Sequence, residues 1–112
     1  MPLDASIVDE RRTEYRKTFG EVDSREPVLI EQVTPGTVLQ HWGLPNQSSF
    51  MFLGVADERI LATLDDGHVV GFRQDAWFVI VELPSDNRTS LCAHAMANLE
   101  IVFRDNRDLW KA

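Results

Sequence analysis

The stretch spanning residues 49–103 constrains the fold more than any other part of the chain. Residues 50–55, 59–65, 68–73 and 77–83 are apolar runs of strand length, and one amphipathic stretch comes after them. Asp66-Gly67 separates the middle two and suits a two-residue type I′ turn, which needs positive φ at both positions. Such a loop would pair Leu64 with Val69 on one face and Leu61 with Phe72 on the other. Apolar residues on both faces mark a hairpin held inside a sheet, not at a bare edge. Residues 77–83 are apolar at successive positions except Glu82, the pattern of a strand covered on both sides. Pro84 ends that run, and Ser85 or Asp86 can cap a helix beginning there. Leu91, Cys92, Ala95, Met96, Leu99, Val102 and Phe103 then recur at helical spacing, a stripe that faces a core. The expected fold class is α+β: a single mainly antiparallel sheet flanked by helices.

The flanks add smaller elements. Residues 6–19 read as a peripheral N-terminal helix, with Asp9 and Glu10 near its positive end and Gly20 as a stop. Its apolar positions, Ile7, Val8, Tyr15 and Phe19, make only a narrow stripe. Residues 21–26 form a charged linker, and residues 28–33 have the β-branched content of a short strand. Residues 34–42 carry helix punctuation at both ends. Thr34 can act as N-cap, Pro35 fits the first turn, Gly43 can close the helix, and Pro45 forbids continuation. Val38, Leu39 and Trp42 would share one face of that helix. The tail, residues 105–112, is polar except Leu109 and Trp110. Trp110 either docks back on the domain or marks an exposed contact.

At 112 residues the chain is a single domain, 1–112, with room for one core. Its 44% hydrophobic content excludes a disordered chain despite 26% charged residues. No run approaches the roughly 20 apolar residues a membrane helix needs. The N-terminus has neither a basic region nor an apolar stretch of signal-peptide type. The lone Cys92 cannot close an internal disulfide and fits a reducing compartment, so a cytoplasmic location is expected. The net charge of −7 argues against nucleic acid as a direct partner. The one basic cluster, Arg11, Arg12, Arg16 and Lys17, is interleaved with Asp9, Glu10 and Glu14 and reads as a solvated helix face. An acidic surface is better matched to a basic protein partner.

No motif asks for catalysis. Cys92 and His94 lie two apart on a helix and point away from each other. His41, His68 and His94 fall on different elements, without metal-ligand spacing, so neither a metal nor a cofactor is expected. Asp57-Glu58 and Asp65-Asp66 are adjacent carboxylates at turn positions, where acidic residues serve the backbone. The glycines are isolated, with none opening a helix after a strand, so a phosphate loop is absent. What stands out is acidity at strand ends: Asp57, Glu58, Asp65, Asp66 and Asp75, with Trp110, are the candidate partner-binding residues. Loops project such groups to where a partner can reach them.

From residue 38 to 103 the order of features resembles the SUKH superfamily of bacterial immunity proteins, related to a yeast cell-wall regulator. Leu39-Gln40-His41-Trp42-Gly43-Leu44-Pro45 looks like its short helix ending in a Gly-Leu-Pro turn. Phe50-Met51-Phe52-Leu53 comes next as a strand. Ile60-Leu61-Ala62-Thr63-Leu64-Asp65-Asp66-Gly67-His68-Val69 is similar to its strand–turn–Gly-x-Val hairpin. The helix beginning near Thr89-Ser90-Leu91 is similar to its C-terminal helix. The resemblance implies a non-enzymatic protein that binds and neutralises a cognate toxin, often a nuclease or nucleic-acid deaminase.

Three functions compete at this level. The first is an immunity-type binding protein, monomer or homodimer, that blocks a basic toxin domain through an acidic face. A structural or regulatory adaptor of the same fold with a cellular partner is the second. The third is a small enzyme or ligand-binding domain with a pocket near His41 or His68.

Overall fold

A computed structural model of the chain describes residues 3–44, 47–98 and 106–111. The elements are α1 (Ala5–Phe19), β1 (Val28–Leu29), a 3-10 turn (Ile30–Gln32), β2 (Val38–His41), β3 (Phe50–Ala56), β4 (Arg59–Thr63), β5 (Val69–Arg73), β6 (Trp77–Glu82), α2 (Asp86–Ala97) and α3 (Arg107–Lys111). The strands form one antiparallel six-stranded sheet in the order β1-β6-β2-β3-β4-β5. With three helices among the described residues, the fold is α+β.

The sheet is curled. Neighbouring strands lie about 4.8 Å apart, so three steps across a flat sheet would separate β2 from β5 by roughly 14 Å. Yet the rings of His41 on β2 and Phe72 on β5 are 4.6 Å apart. Phe72 also lies 6.1 Å from Phe78 on β6, a further strand away. Register shifts at Val38/Leu39 and at Phe52/Gly54 supply the extra residue and local bend that curling needs. The inner face carries Leu39, Phe50, Phe52, Ile60, Ala62 and Phe78, with Ile30 of the 3-10 turn closing the open side. The outer face carries two clusters. Met51 and Leu53 pack with Cys92 and Ala95 of α2 and Leu109 of α3. Trp42 and Val79 pack with Val8 of α1.

α1 is the helix expected at residues 6–19, capped by Asp4, whose carboxylate accepts from Ser6 N, and ended by Gly20 in the left-handed region. It is held by large side chains: Tyr15 meets Trp42 edge-on at 5.4 Å, and the Arg11 guanidinium lies 4.0 Å over Trp77. α2 begins where expected, with Ser85 Oγ accepting from Arg88 N at 3.1 Å. Leu99, Val102 and Phe103 lie outside the described residues.

Several expectations are corrected. Residues 34–42 are not a helix; β2 lies there, between β3 and β6, with Leu39 fully buried. Thr34-Pro35-Gly36-Thr37 is a turn in which Thr37 N donates to Thr34 O at 3.2 Å and Gly36 sits at φ 97°. Pro then Gly at its centre is type II turn chemistry, and a proline at the start of a helix looks the same in sequence. The short helix of the SUKH resemblance is therefore a strand here. Of residues 28–33, only Val28–Leu29 is strand, and the 3-10 turn comes next.

The hairpin loop is also different. Thr63 pairs with Val69, Ile60 with Phe72 and Leu61 with Gly71, a register one residue from the expected one. Gly67 N donates to Leu64 O and Leu64 N to His68 O, both at 2.9 Å, which encloses three loop residues. Positive φ is needed only at Gly67, at 90°, the geometry of a type I turn with a glycine bulge. β5 is an edge strand, not an interior one. Its two apolar faces arise because the curl covers one and the helices the other. The apolar run through residues 80–83 predicts cover on both sides, but Ile80, Val81 and Leu83 are 38%, 48% and 71% exposed.

Candidate functional site

A tight hairpin turn builds the most distinctive surface. Ala56 pairs with Arg59, leaving Asp57 and Glu58 as a two-residue loop at φ 50° and 62°. This is the type I′ geometry, expected at Asp66-Gly67 and found here without a glycine. Asp tolerates the left-handed region through its short polar side chain, whereas Glu has no such help. The β3–β4 ladder imposes the conformation, so both carboxylates are presented on a stiff support.

The β4–β5 register places the β5–β6 turn beside this loop. Asp57, Glu58, Arg59, Arg73, Gln74 and Asp75 line an open cleft of about 510 Å³. A second cleft of about 350 Å³ shares Gln74 and Asp75 and continues to Leu29, Ile30, Glu31 and Trp77. Arg59 and Arg73 are directly opposite across β4–β5. Like charges at that position repel, and the surrounding carboxylates offset this. Arg73 donates to Asp75 at 3.2 Å, while Asp57 and Glu58 form no ion pair among the described residues.

Three of the sequence-predicted residues, Asp57, Glu58 and Asp75, therefore come together. Asp65 and Asp66 do not: they lie at the opposite end of β4. Asp66 serves its own turn, accepting from His68 N at 3.0 Å and lying 2.8 Å from His68 Nδ1. These contacts hold its carboxyl below the usual carboxylate range, the backbone hydrogen bond first and the ring second. Trp110 is half-buried against the Met51–Cys92–Leu109 cluster, so it docks back on its own domain. Asn106 fastens this tail by donating its backbone N–H to Gly67 O at 3.2 Å.

No family model, curated protein or solved structure matches this chain. Its chemistry is read from its own side chains.

His41 and His68 do not share a pocket. His41 is half-buried among Phe50, Phe72 and Phe78, with centroids 5.2, 4.6 and 5.4 Å away, and burial lowers its pKa. His68 is exposed in the β4–β5 loop. Cys92 is fully buried, and burial pushes its thiol up to about 11, so the nucleophilic thiolate is disfavoured. His94, two residues on, is exposed. Among the described residues, no three His, Cys, Asp or Glu side chains could hold a metal ion. No described helix is long and apolar enough to cross a membrane.

Sequence reasoning missed Arg59, Arg73 and Gln74 as lining residues. Register alone sets two arginines side by side, and the sequence carries no sign of register. It also missed Asp23, whose side chain is 2% exposed and bound by Arg25 at 2.9 Å and by Gly43 N at 2.9 Å. An acid within a charged linker gives no signal that it will be buried.

Proposed function

We propose that this protein is a non-enzymatic binding protein that occupies a basic surface of a protein partner, in the manner of SUKH immunity proteins against nuclease or deaminase toxin domains. The observation that carries the reading is the Asp57-Glu58 turn, which sets two carboxylates with no ion pair among the described residues beside Asp75 on the rim of an open cleft. Left-handed φ at two non-glycine positions is costly, and strain of this kind gathers at sites of recognition. The net charge of −7 extends the same preference over the whole surface. Arg59 and Arg73 add a counter-pattern, so a matching partner carries acidic groups among its basic ones. The order of strands and final helix that resembles the immunity proteins also supports the reading.

The test is association kinetics against the product of the adjacent gene at two salt concentrations. Exposed charges are screened beyond roughly 8–10 Å at 0.1–0.15 M ionic strength. The on-rate is therefore expected to fall as salt rises. Asp57→Lys with Glu58→Lys is expected to lower it about tenfold with a smaller change in off-rate. An on-rate indifferent to both salt and charge reversal would refute the acidic-turn mechanism.

A further inference from the structure

Strand β6 has a side that the sheet leaves uncovered. β1 pairs with it only at Trp77 and Phe78, whereas β2 runs along its other side as far as Glu82. Continued in this register, Pro27 would lie opposite Val79 and Glu26 opposite Ile80, but the chain leaves β6 before Glu26 can pair. Just before it, Arg25 O accepts from Trp42 Nε1 at 2.9 Å and from Arg12 at 3.3 Å, which draws the chain off the sheet toward α1. Trp42 N donates to Trp77 O at 3.0 Å, so Trp77 and Val79 turn their backbone groups toward β2. Antiparallel alternation then turns the N–H and C=O of Ile80 to the vacated side. Among the described residues, no backbone group outside the strands bonds to Ile80 there. Ile80, Val81 and Leu83 are the exposed apolar residues of this segment.

We propose that the free side of β6, at residues 80–83, takes an extended lysine- or arginine-bearing segment of a protein partner as an added antiparallel strand. Main-chain hydrogen bonds to Ile80 and apolar contacts to Val81 and Leu83 hold it, the mode by which peptides add to sheet edges. The direction is set by β1, whose line the segment continues beyond Pro27. Charge sets its composition. Exposed Glu26, Glu82 and Asp86 surround the edge. Arg88, the guanidinium beside them, is 6% exposed and committed to Glu82 and Leu83 O, each at 3.0 Å. A second copy of this chain is a poor occupant, because it brings its own net charge of −7 and another Glu82. The inference rests on the basic-partner reading but concerns the end of β6 remote from the Gln74-Asp75 turn, so each surface can fail without the other.

The experiment titrates ¹⁵N-labelled protein with a capped peptide of alternating valine and lysine, of about seven residues, a strand's length. A valine–glutamate peptide serves as its counterpart. The expected result is amide shifts centred on residues 80–83 and slowed hydrogen exchange at Ile80 with the lysine peptide only. Val81→Lys, at an exposed position, is expected to weaken that binding about tenfold through like charge. Its own spectrum shows whether the fold is kept. Shifts confined to Asp57, Glu58 and Asp75 would overturn the edge site while leaving the basic-partner reading intact. No shifts, equal binding of the glutamate peptide, or a dimer formed through residues 80–83 in sedimentation would overturn the proposal. Edge binding together with a charge-insensitive on-rate at Asp57 and Glu58 would uphold it and refute the acidic turn instead.

Discussion

Glu58, at φ 62°, holds a conformation that costs a non-glycine residue about 1–2 kcal/mol. Glu58→Gly is therefore expected to raise the unfolding free energy by about 1 kcal/mol, read from the urea midpoint. An unchanged or lower midpoint would show that the turn is unstrained. The same substitution removes a carboxylate from the cleft, so a gain in stability should accompany a loss in partner association. His41 provides a pH signature. Burial lowers its pKa below the free value of 6.5, so the unfolded chain takes up the proton first. Its contribution is complete above about 6.5 and is lost as pH falls from there toward the folded value. Unfolding free energy between pH 7 and 5 is expected to fall more steeply in the native chain than in His41→Phe. Parallel slopes would show that His41 makes no such contribution. None of this is visible in sequence, where His41 is one of three scattered imidazoles.

At the scale of elements, β2 shows how punctuation misleads. Thr34, Pro35 and Gly43 fit the start and stop of a helix, but they also fit two turns bracketing a strand. The decision falls to burial. Val38 and Leu39 gain a ladder on each side and near-complete burial, which outweighs a propensity difference of a few tenths of a kcal/mol. The linker before β1 is likewise tertiary in origin. Burial alone would raise the pKa of Asp23, but hydrogen bonds from Arg25 and Gly43 outweigh it and hold the carboxyl below the ordinary value. Asp23→Ala leaves those donors without an acceptor. Since Arg25 is 35% exposed and can rehydrate, the expected loss is about 2–3 kcal/mol in urea unfolding, below that of a fully buried pair. A loss under about 0.5 kcal/mol would mean that the network is incidental.

For the whole molecule, the curl is the organising event. It closes His41, Phe50, Phe72 and Phe78 into one aromatic cluster. Phe72 comes from the edge strand and reaches both β2 and β6. Phe72→Ala is expected to destabilise by about 2–4 kcal/mol, scaled down from a fully buried phenylalanine. Because the β4–β5 ladder holds Asp75 beside Asp57, partner association per folded molecule is expected to stay unchanged. A folded variant that binds weakly would show that the cleft also depends on the aromatic cluster.

Local chemistry was enough to decide α1, the Ser85-capped start of α2, and β3 through β6, because capping residues, apolar periodicity and Pro84 act within a few residues of themselves. It also marked the carboxylates at Asp57, Glu58 and Asp75, since acids collect at turns. Strand order, the one-residue register of the β4–β5 hairpin, the strand identity of residues 38–41 and the uncovered end of β6 were decided only by the tertiary structure. Each depends on what lies opposite in space. A pleated strand shifted by one residue reverses its faces without changing its sequence, and a curl is a property of six strands at once.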